Sequence, residues 1–375
     1  MAGTPDFKAL ANPAMRNLSA YDPGHDIPAL RRRFAGAGGL LELGSNENPF
    51  GPSPSVIPAI QAELAQLHRY PDPAGNALKR AIARSQGVGE QHIMLGNGSH
   101  ELLMQLAQVF TGPDDEVLLS RYCFAVYPIA AKAAGALPVY ADAYPADHAM
   151  ALGHDLDALA AAITPRTKLI CFANPNNPTG TWFGSRQLID FLDRVPPEVL
   201  VLVDEAYIEY VSDPALGSAL ALCTRYPNLI VARTFSKAYG LAGLRVGYLI
   251  AEPSVLALLE PVRESFNVNA LALAASEAAL ADGPHLQKVV ARTQEQREWL
   301  SAALRGLGLR VSPSQTNFLL VHFGPETPAI EQVLLQQGIV VRPMGGYGLG
   351  EYLRITVADR SENERLMAAL KAVRP

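Results

Sequence analysis

Between His92 and Ile250 the chain repeats one unit, a short unbroken apolar run followed by a stretch of helical spacing. Runs at His92–Leu95, Glu116–Leu119, Leu137–Ala141, Lys168–Phe172, Val199–Val203, Leu229–Ala232 and Val246–Ile250 predict strands. Glu101–Phe110, Ala125–Ala134, Leu156–Ala162 and Arg186–Arg194 predict helices; Leu102, Leu103, Leu106, Ala107 and Phe110 mark one apolar face of the first. Val199–Val203 has no polar alternation, as expected of a strand covered on both faces. Repeated βα units of this kind give an α/β fold, a mostly parallel sheet between helices.

The flanks read differently. Residues 1–45 are irregular and rich in Pro, Gly and Arg, an extended arm expected to join a small C-terminal unit. Ile57–His68 and Ala77–Ser85 are helical. After Glu252 a helical region runs to about Leu304, broken near Asn267 and Gly283. Strands at Asn317–His322, Ile339–Arg342 and Tyr352–Thr356 follow, with helices between and after them. The expected division is therefore an arm over 1–45, a large unit over 46–265 and a smaller α+β unit over 266–375.

Composition narrows the function. The 375 residues are 49% hydrophobic and 18% charged, enough apolar material for a large core. A net charge of −5 disfavours nucleic-acid binding, which needs a basic excess or stripe. Cys123, Cys171 and Cys223 stand far apart with no CxxC, which points to a reducing compartment. The eight histidines form no metal-ligand pattern, so no metal is expected. The N-terminus lacks the apolar core of a secretory signal, and no run reaches the ~20 apolar residues of a membrane helix. A soluble cytoplasmic protein is expected.

Chemistry-bearing residues fall where strands end. Lys237, in Thr234-Phe235-Ser236-Lys237, follows a buried strand; a partly desolvated amine there can form a Schiff base. Asp204 ends Val199–Val203, and a carboxylate so placed is costly unless paired. The protonated ring nitrogen of pyridoxal phosphate would be one partner. Asn177 lies in a Pro- and Asn-rich turn after Lys168–Phe172, where its amide could hold that cofactor's phenolic oxygen. The turn Gly96-Asn97-Gly98-Ser99 opens a helix whose free N–H groups suit a phosphate. Each residue also fits a plainer role: a solvated lysine, a capping aspartate, a turn asparagine, a capped helix.

In combination, Asn174–Gly180, Asp204-Glu205-Ala206-Tyr207 and Ser236-Lys237 with Arg245 resemble the fold-type I pyridoxal-phosphate aminotransferases over most of the chain. Asn46-Glu47-Asn48-Pro49-Phe50-Gly51-Pro52-Ser53, Arg69-Tyr70-Pro71-Asp72-Pro73, Gln315-Thr316-Asn317-Phe318 and Leu353-Arg354-Ile355-Thr356 are similar to signatures of the histidinol-phosphate aminotransferases. The resemblance implies pyridoxal 5'-phosphate as cofactor, with Lys237 as Schiff-base lysine and Asp204 as pyridinium partner. It implies Asn177 and Tyr207 at the phenolic oxygen, Phe124 against the ring, and Gly98, Ser99, His100, Thr234, Ser236 and Arg245 around the phosphate. Tyr70 would reach that phosphate in a neighbouring subunit, which makes a homodimer. Tyr21, Asn46, Arg342 and Arg354 would meet the substrate. His100 stands where many relatives carry Asp or Asn, and Phe124 where many carry Tyr. The implied reaction is transamination of L-histidinol phosphate with 2-oxoglutarate in histidine biosynthesis; an aromatic amino-acid aminotransferase, a related decarboxylase and a non-catalytic regulator are the alternatives.

Overall fold

A computed structural model describes residues 6–36 and 38–373, so residues 1–5 and Ala37 of the expected arm, and 374–375 at the other end, lie outside the described residues. The strands in chain order are β1 Leu41–Glu42, β2 Ile93–Gly96, β3 Glu116–Ser120, β4 Leu137–Ala141, β5 Thr167–Ala173, β6 Leu200–Asp204, β7 Leu229–Thr234, β8 Gly247–Ile250, β9 Arg310–Val311, β10 Phe318–His322, β11 Ile339–Val340, β12 Arg342–Pro343 and β13 Tyr352–Thr356.

β2 to β8 form one seven-stranded sheet in the order β2-β8-β7-β6-β5-β3-β4. Its strands are parallel except β8, which runs antiparallel to both β2 and β7. Burial on both faces explains the unbroken apolar runs. Leu169, Cys171, Leu202 and Ile230 pack into one cluster with the helices Ser99–Phe110 and Val126–Ala133. Their neighbours Ile170, Phe172, Val201, Val203 and Val231 pack into another with Leu156–Ala161 and Ser185–Leu192. Each fully buried side chain of this size contributes roughly 1.5–3 kcal/mol, so the layers are held mainly by apolar burial. Because β8 reverses direction, the loop 235–246 turns back over the carboxyl ends of β6 and β7, and Lys237 and Arg245 lie on it.

A second core gathers Leu300, Leu304, Leu319, Val321, Leu353, Ile355, Leu366 and Leu370 around the antiparallel sheet β12-β13-β10-β9. Leu41 and Leu43 join it, because β1 pairs in parallel with β11, Leu41 facing Ile339.

Three expectations change. The arm is not irregular throughout. Asp26 caps a helix Ile27–Arg33 by accepting from Ala29 N–H, and Pro28 stands within the first turn, where a missing N–H costs little. The expected strand Ile339–Arg342 is two strands in different sheets, β11 and β12. The helix Ala270–Ala281, within the span 266–375, packs against the helices Val56–Glu63 and Asn76–Gln86 instead. Its Ala272, Leu273, Ala275 and Ala279 share a cluster with Leu78, Ile82 and Ile93.

Candidate active site

The carboxyl ends of the parallel strands open into a cleft of about 300 Å³. Tyr21, Asn46, Ser99, His100, Phe124, Asn177, Asp204, Tyr207, Thr234, Ser236, Lys237, Arg245, Arg342 and Arg354 all line it. Residues separated by more than 300 positions thus share one cavity.

Asp204, the last residue of β6, is 4% exposed. Its Oδ2 accepts from the Tyr127 hydroxyl at 3.0 Å and its Oδ1 from Ala206 N–H at 3.1 Å. Burial pushes the carboxyl up to about 6, against the pull of those two donors and of Lys237. Among the described residues no cation lies within ion-pair reach of it. Lys237 faces the cleft with its Nζ 3.2 Å from the Ser45 carbonyl and 5.8 Å from the centre of the Tyr207 ring. Burial, then the Arg354 charge, bring its ammonium down to about 8. Part of the lysine is therefore a free amine near neutral pH.

One corner suits an anion. Ser99 and His100 open the helix Ser99–Phe110, whose cap Gly98 supplies no side chain. Gly98 has φ +77°, a conformation other residues rarely adopt, which favours glycine there, and a Cβ would also push on the Arg245 guanidinium. Arg245 Nη1 donates to Ser236 Oγ at 3.4 Å and to the Ala242 carbonyl at 3.1 Å. Thr234 Oγ1 accepts from Ser236 N–H at 3.1 Å, which sets the turn. Burial and Arg245 both lower the pKa of His100, favouring neutral imidazole.

The facing wall carries Arg354, on β13. It is 7% exposed and donates to Asn177 Oδ1 at 2.6 Å and to the Gly44 carbonyl at 2.7 Å. Its Nε has no partner, and its guanidinium meets no carboxylate among the described residues. Arg342, its register partner on β12, donates instead to the Asp22 carbonyl at 2.6 Å, with the Asp22 carboxylate at 3.5 Å. Tyr21 meets His100 and Phe124 edge-on, each at 6.3 Å. Asn46, at φ +57°, a region asparagine tolerates, donates to the Tyr207 hydroxyl at 2.9 Å.

Tyr70 is not at this cleft. It is 81% exposed and stacks on Phe266 at 4.4 Å. Four contributors escape sequence reasoning. Tyr127 reads as helix core. Gly44 and Ser45 act through carbonyls, and Glu42, whose Oε1 accepts from Gly44 N–H at 2.7 Å, sits in a two-residue strand.

The donor set fits pyridoxal phosphate. A buried carboxylate lacking a cation suits the pyridinium, the Gly98–His100 turn with Ser236 and Arg245 suits the phosphate, and Lys237 lies between them. The class I and II aminotransferase profile matches residues 39–370. The chain belongs to that family. Among curated aminotransferase relatives, histidinol-phosphate aminotransferase 2 of Pseudomonas fluorescens is 46% identical over 369 residues, covering 98% of each chain. Histidinol-phosphate aminotransferase 1 of Nitrosococcus oceani is 45% identical over 367 residues, covering 98% of this chain and 97% of its own. The crystal structure of the Sinorhizobium meliloti histidinol-phosphate aminotransferase, in complex with pyridoxal 5'-phosphate, superposes with a TM-score of 0.87 at 32% identity, over 97% of both chains.

Proposed function

We propose that this aminotransferase transfers the amino group of L-histidinol phosphate to 2-oxoglutarate, giving imidazole acetol phosphate and glutamate, with pyridoxal 5'-phosphate as cofactor, in histidine biosynthesis. The observation that carries the substrate is Arg354: a buried guanidinium at the cleft that, among the described residues, has an unpartnered Nε and no carboxylate. The two amino donors differ in the anion beside the reacting carbon, a phosphate ester in one and a carboxylate in the other. A planar guanidinium can donate two parallel hydrogen bonds to either. Arg342 supplies a second cation for the larger charge.

Bound pyridoxal phosphate supplies a carbonyl for the amine and a ring that accepts electrons from the reacting carbon. Asp204 holds a proton on the ring nitrogen. Asn177 and Tyr207 hold the phenolic oxygen, and Phe124 covers one ring face. Gly98, Ser99, His100, Thr234, Ser236 and Arg245 hold the phosphate. Lys237 Nζ takes the proton from the substrate carbon and later returns one, as general base and then acid.

The same reading places the enzyme in the cytoplasm as a homodimer, with Tyr70 reaching the phosphate in a second copy. High exposure of Tyr70 beside Leu67 supports such a contact. Residues 46–265 form the large unit, to which Ala270–Ala281 is added by its packing. The division then falls within the helix Gly283–Gly306, whose Val289 and Leu300 belong to different cores.

The test is a half-reaction. Purified enzyme loaded with pyridoxal phosphate is mixed with histidinol phosphate, glutamate, phenylalanine or tyrosine, and conversion to pyridoxamine phosphate is followed by absorbance. Histidinol phosphate and glutamate should convert the cofactor with the highest kcat/KM. A preference for phenylalanine or tyrosine over histidinol phosphate makes the enzyme an aromatic aminotransferase instead.

A further inference from the structure

Tyr127 stands behind the site, 2% exposed, and does not itself line the cleft. It makes two contacts that lead into it. Its hydroxyl donates to Asp204 Oδ2 at 3.0 Å. Its ring meets the Phe124 ring edge-on, 5.7 Å between centres and 88° between planes. The backbone fixes the spacing of the two aromatics, since Tyr127 N–H donates to the Phe124 carbonyl at 3.1 Å at the start of the helix Val126–Ala133. Leu119, Cys123 and Cys171 pack in the same buried cluster as the ring.

We propose that Tyr127 is a positioning residue for the cofactor ring, its hydroxyl keeping Asp204 an ionised, oriented acceptor while its ring props Phe124 at the matching height. The inference rests on the pyridoxal-phosphate reading above. It follows from the poor alternatives open to Asp204. A buried carboxylate needs donors to stay charged, and among the described residues this one has only the Ala206 amide and the Tyr127 phenol. Burial holds the Tyr127 phenol far above its ordinary range, so it remains a donor across all working pH. The other titratable groups facing Asp204 are Cys171 from β5, raised and neutral, Glu205, tied to Arg233 at 2.7 Å, Tyr207, raised and neutral, and Lys237 from the loop after β7. His100 lies beside Arg245, at the phosphate corner. Among the described residues the phenol is thus the one side chain that donates a hydrogen bond to the carboxylate.

Tyr127→Phe keeps the ring and removes only the donor. Losing one charge-assisted hydrogen bond should raise the acidic limb of kcat/KM by about one pH unit. The holoenzyme loses about threefold in kcat/KM near pH 6.5 and approaches a tenfold loss below about pH 5, and it recovers most of it above about pH 8, where Asp204 ionises unaided. The pH titration of the bound cofactor's absorbance moves the same way. In the apo-protein, affinity for added pyridoxal phosphate, measured by fluorescence, falls more at low pH than at high. Tyr127→Leu, which also removes the ring, weakens that affinity at every pH. A pH-independent loss in Tyr127→Phe, or the parent's profile and affinity throughout, overturns the proposal. A parent that binds pyridoxal phosphate but turns over no amine overturns the functional reading alone, and the binding comparison still decides Tyr127. A parent that binds no pyridoxal phosphate overturns both.

Discussion

The two walls of the cleft are held by different kinds of bond. On the sheet wall the contacts are local in the chain or stay within the sheet unit, as with Tyr127 and Asp204, 77 residues apart. Ser236 N–H reaches Thr234, Ala206 N–H reaches Asp204, and Arg245 reaches Ala242, none more than three residues apart. On the opposite wall they are remote. Asn46 meets Tyr207 at a separation of 161 residues, Lys237 meets Ser45 at 192, Arg354 meets Gly44 at 310 and Arg342 meets Asp22 at 320. The sheet wall is therefore shaped as soon as its strands pair, whereas the facing wall exists only when both ends of the chain have met. Changes on the first should strike cofactor chemistry, and changes on the second should strike substrate binding.

Lys237→Ala gives the sharpest break. It should abolish turnover while leaving the fold intact, since among the described residues the Lys237 side chain makes one hydrogen bond, to the Ser45 carbonyl. Steady-state rates and thermal melting check both halves; substantial turnover removes Lys237 from the chemistry. In the parent apo-protein, the rate at which pyridoxal phosphate attaches should rise with pH around a midpoint of about 8, the value to which burial and Arg354 lower this amine.

Asp204→Asn should lose most of kcat while retaining cofactor, because an amide cannot keep the ring nitrogen protonated. Its apo-protein should meanwhile gain stability. The folded carboxyl titrates near 6 against an ordinary 3.8, so the fold favours the protonated form. That contribution is complete below the ordinary value and is lost as pH rises through about 6. Asn avoids the loss, and denaturant melts of the two apo-proteins should differ by about 2–3 kcal/mol at pH 7 and converge near pH 4. Equal stability at both pH values would mean that Asp204 carries no burial penalty.

On the remote wall, Arg354→Lys replaces a fork with a point charge. Both half-reactions should lose roughly tenfold to a hundredfold in kcat/KM with cofactor affinity unchanged. A fall in cofactor affinity instead would merge the two walls into one unit. Asp22→Ala should do least. Its carboxylate is exposed and the main bond to Arg342 comes from its carbonyl, so the histidinol phosphate half-reaction should change by less than about fivefold.

The same contrast governs what the sequence discloses. Asp204 stands out because an apolar run breaks abruptly at a charge, and Lys237 because it closes the short turn after another such run; both signals are local. The βα order is legible for the same reason. The reversal of β8 is not, since Val246–Ile250 is equally apolar in either direction. Tyr127 hides because a tyrosine on an apolar helix face reads as core, and Gly44 and Ser45 act through carbonyls that every residue owns. β1 is two residues long, below the length at which alternation carries a signal. Residues on the remote wall, Tyr21, Arg342 and Arg354, become legible only through family likeness, because no spacing rule joins positions 300 apart.

The pairing of β1 with β11 also bears on how the protein is made. During synthesis the segment 41–43 leaves the ribosome long before its partner at 339–341. For most of translation its apolar Leu41 and Leu43 have no core to enter, while the strands from 93 to 250 can already assemble. A nascent chain halted near residue 300 should thus display a protected sheet and a protease-sensitive N-terminus, and the full-length chain should protect both.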